Sequence, residues 1–203
     1  MKILIVKTSA IGDVIQAFPV VAYIKKKMPE AVIDWVVEQG IAELVAAHPD
    51  VHQAIPVDTK KWRKTLFQVE TWRALKQLRQ TLRETSYDLL IDLQGNSKSA
   101  LFTWMAKSRE KVGYDFKSLP EKLNYLATFK RFSVSLGMSI QQQYLHLVQS
   151  YFGEVWEPSE PVHLKAELPA LSLQKPVLMV CFGSRWTNKK LPQETMVQLL
   201  KRA

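Results

Sequence analysis

Short apolar runs alternate with longer stretches of helical period along the chain. Lys2–Lys7 (KILIVK) is β-branched and nearly continuous, which predicts a buried strand. A small-residue turn, Thr8 to Gly12, follows. From Asp13 the positions Val14, Phe18, Val21 and Ala22 fall near one helical face. Pro19 predicts a kink or early break there, and Pro29 a stop after Lys25, Lys26 and Lys27. Further strands are expected at 31–37 (AVIDWVV), 53–57, 87–93 (YDLLIDL) and 112–114, with a short helix at 41–47. A long amphipathic helix is predicted over 64–84, where Leu66, Val69, Trp72, Leu75, Leu78 and Leu82 recur every three or four residues. Helices are also expected at 97–107, 119–128 and 140–152. The segment 153–175 holds Pro158, Pro161 and Pro169 without a clear period and reads as a linker. A new strand at 176–182 (PVLMVCF) and a helix from Pro192 come after it.

Strands alternating with helices imply right-handed βαβ units on a parallel sheet. The expected organisation is α/β: a doubly wound, Rossmann-like domain over 1–152, the linker 153–175, and the first strand–loop–helix of a second domain over 176–203.

Composition narrows the class. The chain has 203 residues, 47% hydrophobic and 23% charged, a mix that builds a core and excludes disordered or collagen-like sequences. No apolar run approaches the roughly 18 residues of a membrane helix. Charge returns at Lys7 before a signal-peptide core could form, so a cytoplasmic location is expected. The single Cys181 excludes an internal disulfide and a cysteine zinc cage. Lys plus Arg is 28 against 19 Asp plus Glu, a net charge of +9. That balance suits a polyanion, whether nucleic acid, an anionic membrane surface or a phosphorylated metabolite.

Four segments could carry chemistry. In Lys7–Asp13, between the first strand and first helix, Asp13 is either an N-cap or a general base facing the crevice beyond the strand ends. The spacing is not that of a dinucleotide fingerprint. The second segment is Lys60-Lys61-Trp62-Arg63-Lys64. From Lys60 to Arg83 there are eight cations and one acid, Glu70. This is a solvated helix face or an anion-facing surface, and no nucleic-acid motif surrounds it. In Asp92–Ser99, Asn96 or Ser97 caps a helix, or Gln94 and Lys98 enter the same crevice as Asp13. The fourth, Gly183–Pro192, puts hydroxyls and cations at a helix start, which is either structural or a phosphate site without the glycine pattern of a P-loop. His48, His52, His146 and His163 show no metal-ligand spacing.

Taken in order, KILIVKTSAIGDVIQAFP, DWVVE, IPVD with KKWRK, YDLLIDLQGNSKSA and GSRWTNKKLP resemble the bacterial lipopolysaccharide heptosyltransferases of glycosyltransferase family 9, nearest the type I enzymes. The resemblance implies a GT-B arrangement of two facing Rossmann-like domains. It implies inverting transfer of L-glycero-D-manno-heptose from ADP-heptose to the Kdo sugars of Kdo2-lipid A. It assigns Asp13 as catalytic base and Ser184 and Lys189 to the donor phosphates. Lys60, Lys61, Arg63 and Lys64 would face the anionic acceptor, with Gln94 and Lys98 as further acceptor contacts. No metal, cofactor or nucleic acid is implied, and the protein would sit on the cytoplasmic face of the inner membrane. Two departures stand out: Leu119-Pro120-Glu121 where the family often has an Arg-Glu pair, and Leu191 in place of a Trp. A type II-like or other family 9 transferase, a non-catalytic basic acceptor-binding module, and a nucleic-acid binder sharing the fold are the alternatives.

Overall fold

The strand β1 (Lys2–Val6) is buried over its last four residues, because helices cover both of its faces. The computed structural model describes residues 1–157, 162–165 and 191–202. Five more strands join β1: β2 (Val32–Glu38), β3 (Gln53–Val57), β4 (Tyr87–Asp92), β5 (Ser108–Tyr114) and β6 (Lys130–Phe132). All pairings are parallel, in the order β3-β2-β1-β4-β5-β6. The chain winds outward from β1 to β3, crosses back, and winds the other way from β4. The carboxyl ends of β1 and β4 therefore flank the topological switch point, where open α/β sheets bind ligands.

Residues of β1 alternate between two cores. Ile3 and Ile5 face one layer with Ile33, Trp35, Leu89 and Ile91. That layer is closed by α1 (Ile11–Gln16), α2 (Phe18–Lys27), α3 (Ala42–Ala46) and α7 (Ile140–Phe152). Leu4 and Val6 face the other layer, closed by α4 (Thr59–Lys64), α5 (Val69–Glu84) and α6 (Ser97–Met105).

The break expected near Pro19 occurs at Ala17, which leaves Pro19 in the first turn of α2, where its missing N–H is not needed. The helix expected over 64–84 starts only at Val69, as α5, and the unforeseen helix α4 ends at Lys64. Thr65 closes α4: its hydroxyl donates to the Lys61 carbonyl at 2.8 Å, and the Thr71 hydroxyl donates to the Thr65 carbonyl at 2.7 Å. The helix expected at 119–128 is a 3₁₀ turn over Lys122–Ala127, and β6 follows it unforeseen. α7 has a reciprocal Ser139–Gln142 cap and ends at Gly153, whose φ of 75° is the left-handed conformation glycine accepts.

The chain divides into two compact units, Met1–Ala166 and Glu167–Ala203. The first part of the expected linker is packed on the first unit. Trp156, Val162 and Leu164 reach the apolar core, and the Lys165 N–H donates to the Ala47 carbonyl at 2.7 Å. In the second unit, α8 (Gln193–Arg202) starts after Pro192, whose carbonyl accepts from the Met196 N–H. The strand expected at 176–182 lies outside the described residues. No described helix is long and apolar enough to cross a membrane.

Candidate functional site

The loop after β1 is fixed on both sides. Toward β2, the Lys7 N–H donates to the Val36 carbonyl, the Glu38 N–H to the Thr8 carbonyl at 3.0 Å, and the Trp35 indole to the Lys7 carbonyl at 2.9 Å. Toward β4, Gln94 Oε1 accepts the N–H groups of Thr8 and Ser9 at 3.0 and 3.2 Å and the Thr8 hydroxyl at 3.3 Å. One side chain thus ties together the two loops that flank the switch point.

Gln94 is itself held by the turn that starts at Asp92. The fully buried Asp92 carboxylate accepts the N–H groups of Gln94 and Gly95, both at 2.9 Å, and the Asn124 amide at 2.7 Å. Burial pushes its pKa up, against the pull of these donors. Gly95 has φ +68°, and a Cβ there would stand 3.0 Å from Pro120 and 3.1 Å from the Tyr114 ring.

Asp13 occupies the third position of α1, not the N-cap, which is Ala10. Its Oδ2 accepts the Ala10 N–H at 3.3 Å and lies 3.8 Å from Lys7 Nζ. The carboxylate side chain is 42% exposed, whereas that of Lys7 is 4% exposed. The ammonium also sits 5.1 Å from the centre of the Tyr144 ring. Burial lowers the Lys7 pKa, and the charges of Asp13 and Asp92 oppose that shift. Burial also raises the Tyr144 pKa, with the Asp13 charge adding to it. The result is a half-exposed carboxylate backed by a buried cation.

Lys60, Lys61, Arg63 and Lys64 are exposed along α4. Three contacts hold that helix in place. Asp58 caps the Lys61 N–H at 3.0 Å, Thr59 donates to the Glu38 carboxylate, and Trp62 packs edge-on against Phe102. Since Glu38 also binds the Thr8 carbonyl, the basic helix is one residue removed from the Lys7–Ala10 loop. At the start of α6, Asn96 and Ser99 cap each other, and Glu121 accepts the Ser97 N–H at 2.9 Å and its hydroxyl. Those Ser97 bonds hold the Glu121 carboxyl below its usual range.

A family model described as "Glycosyltransferase family 9 (heptosyltransferase)" matches residues 75–203. The chain belongs to glycosyltransferase family 9.

Among its relatives in the family, lipopolysaccharide heptosyltransferase 1 of Pseudomonas aeruginosa is 31% identical over 100% of this chain and 58% of its own length. The enzyme of that name from Escherichia coli K12 is 37% identical over 61% of this chain and 39% of its own. The structure of E. coli heptosyltransferase WaaC with ADP superposes with a TM-score of 0.73 at 32% identity, covering 80% of this chain and 50% of that one. WaaC with ADP-2-deoxy-2-fluoro heptose gives 0.74 at the same identity, covering 80% and 51%. The chain therefore spans about half the length of these relatives.

Of the residues that the sequence singled out in this family 9 chain, Asp13 and Gln94 are brought together through the Thr8–Ala10 loop. Lys98 is exposed on the first turn of α6, and the four cations of α4 form a separate strip. Ser184 and Lys189 lie outside the described residues. Sequence reasoning missed Lys7, Tyr144 and Asn124. A cation placed directly at the end of a buried strand was the available signal for Lys7. Asn124, in an irregular segment, gave none.

Proposed function

We propose that this chain provides the acceptor-binding half and catalytic base of an inverting glycosyltransferase, one that transfers L-glycero-D-manno-heptose from ADP-heptose to Kdo of Kdo2-lipid A in lipopolysaccharide inner-core assembly. The observation that carries the reading is the open Asp13 carboxylate at the switch point, 3.8 Å from a buried ammonium. Likeness to heptosyltransferases, one of them solved with an ADP-heptose analogue, supports the donor.

In this reading the acceptor hydroxyl attacks the anomeric carbon in line with the departing ADP and gives its proton to Asp13. Lys189 and Ser184, in a nucleotide-sugar-binding domain that begins at 176 after the linker 153–175, offset the charge developing on the diphosphate. Lys60, Lys61, Arg63 and Lys64 hold the acidic sugars and phosphates of the acceptor, and Lys98, on α6, is a further acceptor contact. Gln94 acts indirectly, by setting the loop that precedes Asp13. The acceptor is lipid-linked, so the protein works peripherally on the cytoplasmic face of the inner membrane.

The test measures heptose transfer from ADP-heptose to Kdo2-lipid A. It uses the 203-residue chain and a chimera in which the rest of the Pseudomonas aeruginosa relative follows residue 203. Transfer by the chimera supports the reading. A folded chimera that binds ADP-heptose but transfers nothing overturns it.

A further inference from the structure

The turn between α4 and α5 holds apolar side chains out in water. Leu66 is 48% exposed, Phe67 is fully exposed, and Val69 and Trp72 on the first turn of α5 are 58% and 62% exposed. The turn is well braced. The Thr65 N–H donates to the Lys61 and Trp62 carbonyls at 3.1 and 3.2 Å, and the Gln68 N–H to the Thr65 carbonyl at 3.0 Å. The Thr65 and Thr71 hydroxyls lie 2.8 Å apart, and Trp62 anchors the preceding helix against Phe102. A braced turn that keeps Leu66 and Phe67 in water marks an interaction surface.

The charges around the tip select its partner. Lys60, Lys61, Arg63 and Lys64 precede it, Arg73 and Lys76 follow it, and Glu70 is the one acid between residues 60 and 83. Apolar and aromatic residues ringed by cations match the interfacial layer of a bilayer, where acyl chains begin beneath anionic phosphates. Tryptophan in particular favours that depth. A second copy of the chain would bring the same cations face to face.

We propose that the Leu66–Trp72 tip inserts into the surface of an anionic bilayer, Phe67 deepest, while the α4 cations and Arg73 and Lys76 engage lipid phosphates. This deepens the proposed function and rests on the membrane location given there. It explains how an acceptor-binding site reaches a lipid-linked acceptor, but it needs no turnover and is measured without it.

The experiment is co-sedimentation of the 203-residue protein with phosphatidylcholine vesicles, with and without about one third phosphatidylglycerol. Wild type is expected to bind the anionic vesicles at least about tenfold more tightly than the neutral ones. The double variant Phe67→Ser/Trp72→Ser is expected to lose about tenfold or more, with an unchanged circular dichroism spectrum. Lipids brominated near the headgroup should quench tryptophan fluorescence in wild type and much less in Trp72→Phe. Failure of wild type to sediment with anionic vesicles overturns the proposal, as does equal binding by the double variant. Lipid-free dimers that the double variant abolishes would also overturn it, by making the partner a second copy. These outcomes are independent of heptose transfer, so either reading can fail alone.

Discussion

The Lys7 ammonium stands 3.8 Å from Asp13 Oδ2, with the lysine side chain enclosed and the carboxylate 42% exposed. The pairing follows from chain order. β1 ends in the sheet interior, so Lys7 starts its path buried, and α1 begins four residues later and brings Asp13 back over it. An ion pair of two exposed groups would be worth little, but here one partner is shielded from water on nearly every side.

Lys7 loses its proton below the usual lysine range, because burial outweighs the attraction of Asp13 and Asp92. Its folded pKa is depressed, so in the window below the usual lysine value the unfolded chain holds more protons and stability rises with pH. In the proposed reaction turnover is expected to move the other way, since a neutral amine no longer holds the Asp13 carboxylate in place. The chimera should therefore show an alkaline limb in kcat below the usual lysine range. Lys7→Arg should move it upward, and Lys7→Met should remove it and lower kcat by about tenfold or more. A Lys7→Met profile that keeps the limb would take Lys7 out of the mechanism.

Gln94→Leu removes the acceptor of the Thr8 and Ser9 N–H groups. The expected cost is about 1–3 kcal/mol in urea unfolding. Amide exchange at Thr8 and Ser9 should quicken by about tenfold or more, while Ile3 to Val6 stay protected by the sheet. Gln94→Glu, which keeps a carbonyl-type acceptor, should restore slow exchange. Unchanged exchange in Gln94→Leu would mean that the two loops are joined by something else.

His48 is buried edge-on against Phe18 at 5.0 Å, and its Nδ1 accepts the Asp50 N–H at 3.1 Å. Burial lowers its pKa. Below the unfolded value of about 6.5 the unfolded chain takes a proton that the native ring refuses. Its contribution is complete above that pH and is lost as pH falls toward the folded value. His48→Asn retains an acceptor for Asp50. It should flatten the loss of stability between about pH 7 and about pH 5, read from urea midpoints. An identical pH slope in the two proteins would contradict this.

Strands β1, β2 and β4 were legible because a parallel strand covered on both faces needs a continuous apolar run, as in KILIV and YDLLID. The break between α4 and α5 was not. Leu66, Val69 and Trp72 keep the helical period although they face water, and period alone does not say what a face meets. β6 (KRF) is a three-residue edge strand, too short to pattern. Asp13 and Gln94 could be picked out because strand ends in a parallel sheet converge. Their linkage could not, because it depends on β1 lying beside β4. Lys7 meets the Tyr144 ring, from a helix far along the chain that no local pattern connects to it.

The proposed chemistry turns on Asp13 taking the acceptor proton. Asn at that position can still accept the Ala10 N–H, so the fold and the first turn of α1 should survive. The deciding measurement is kcat of Asp13→Asn in the chimera, with ADP-heptose affinity and the circular dichroism spectrum recorded alongside. The account predicts a fall in kcat of roughly a thousandfold with donor affinity unchanged. Turnover within a few-fold of wild type would contradict it.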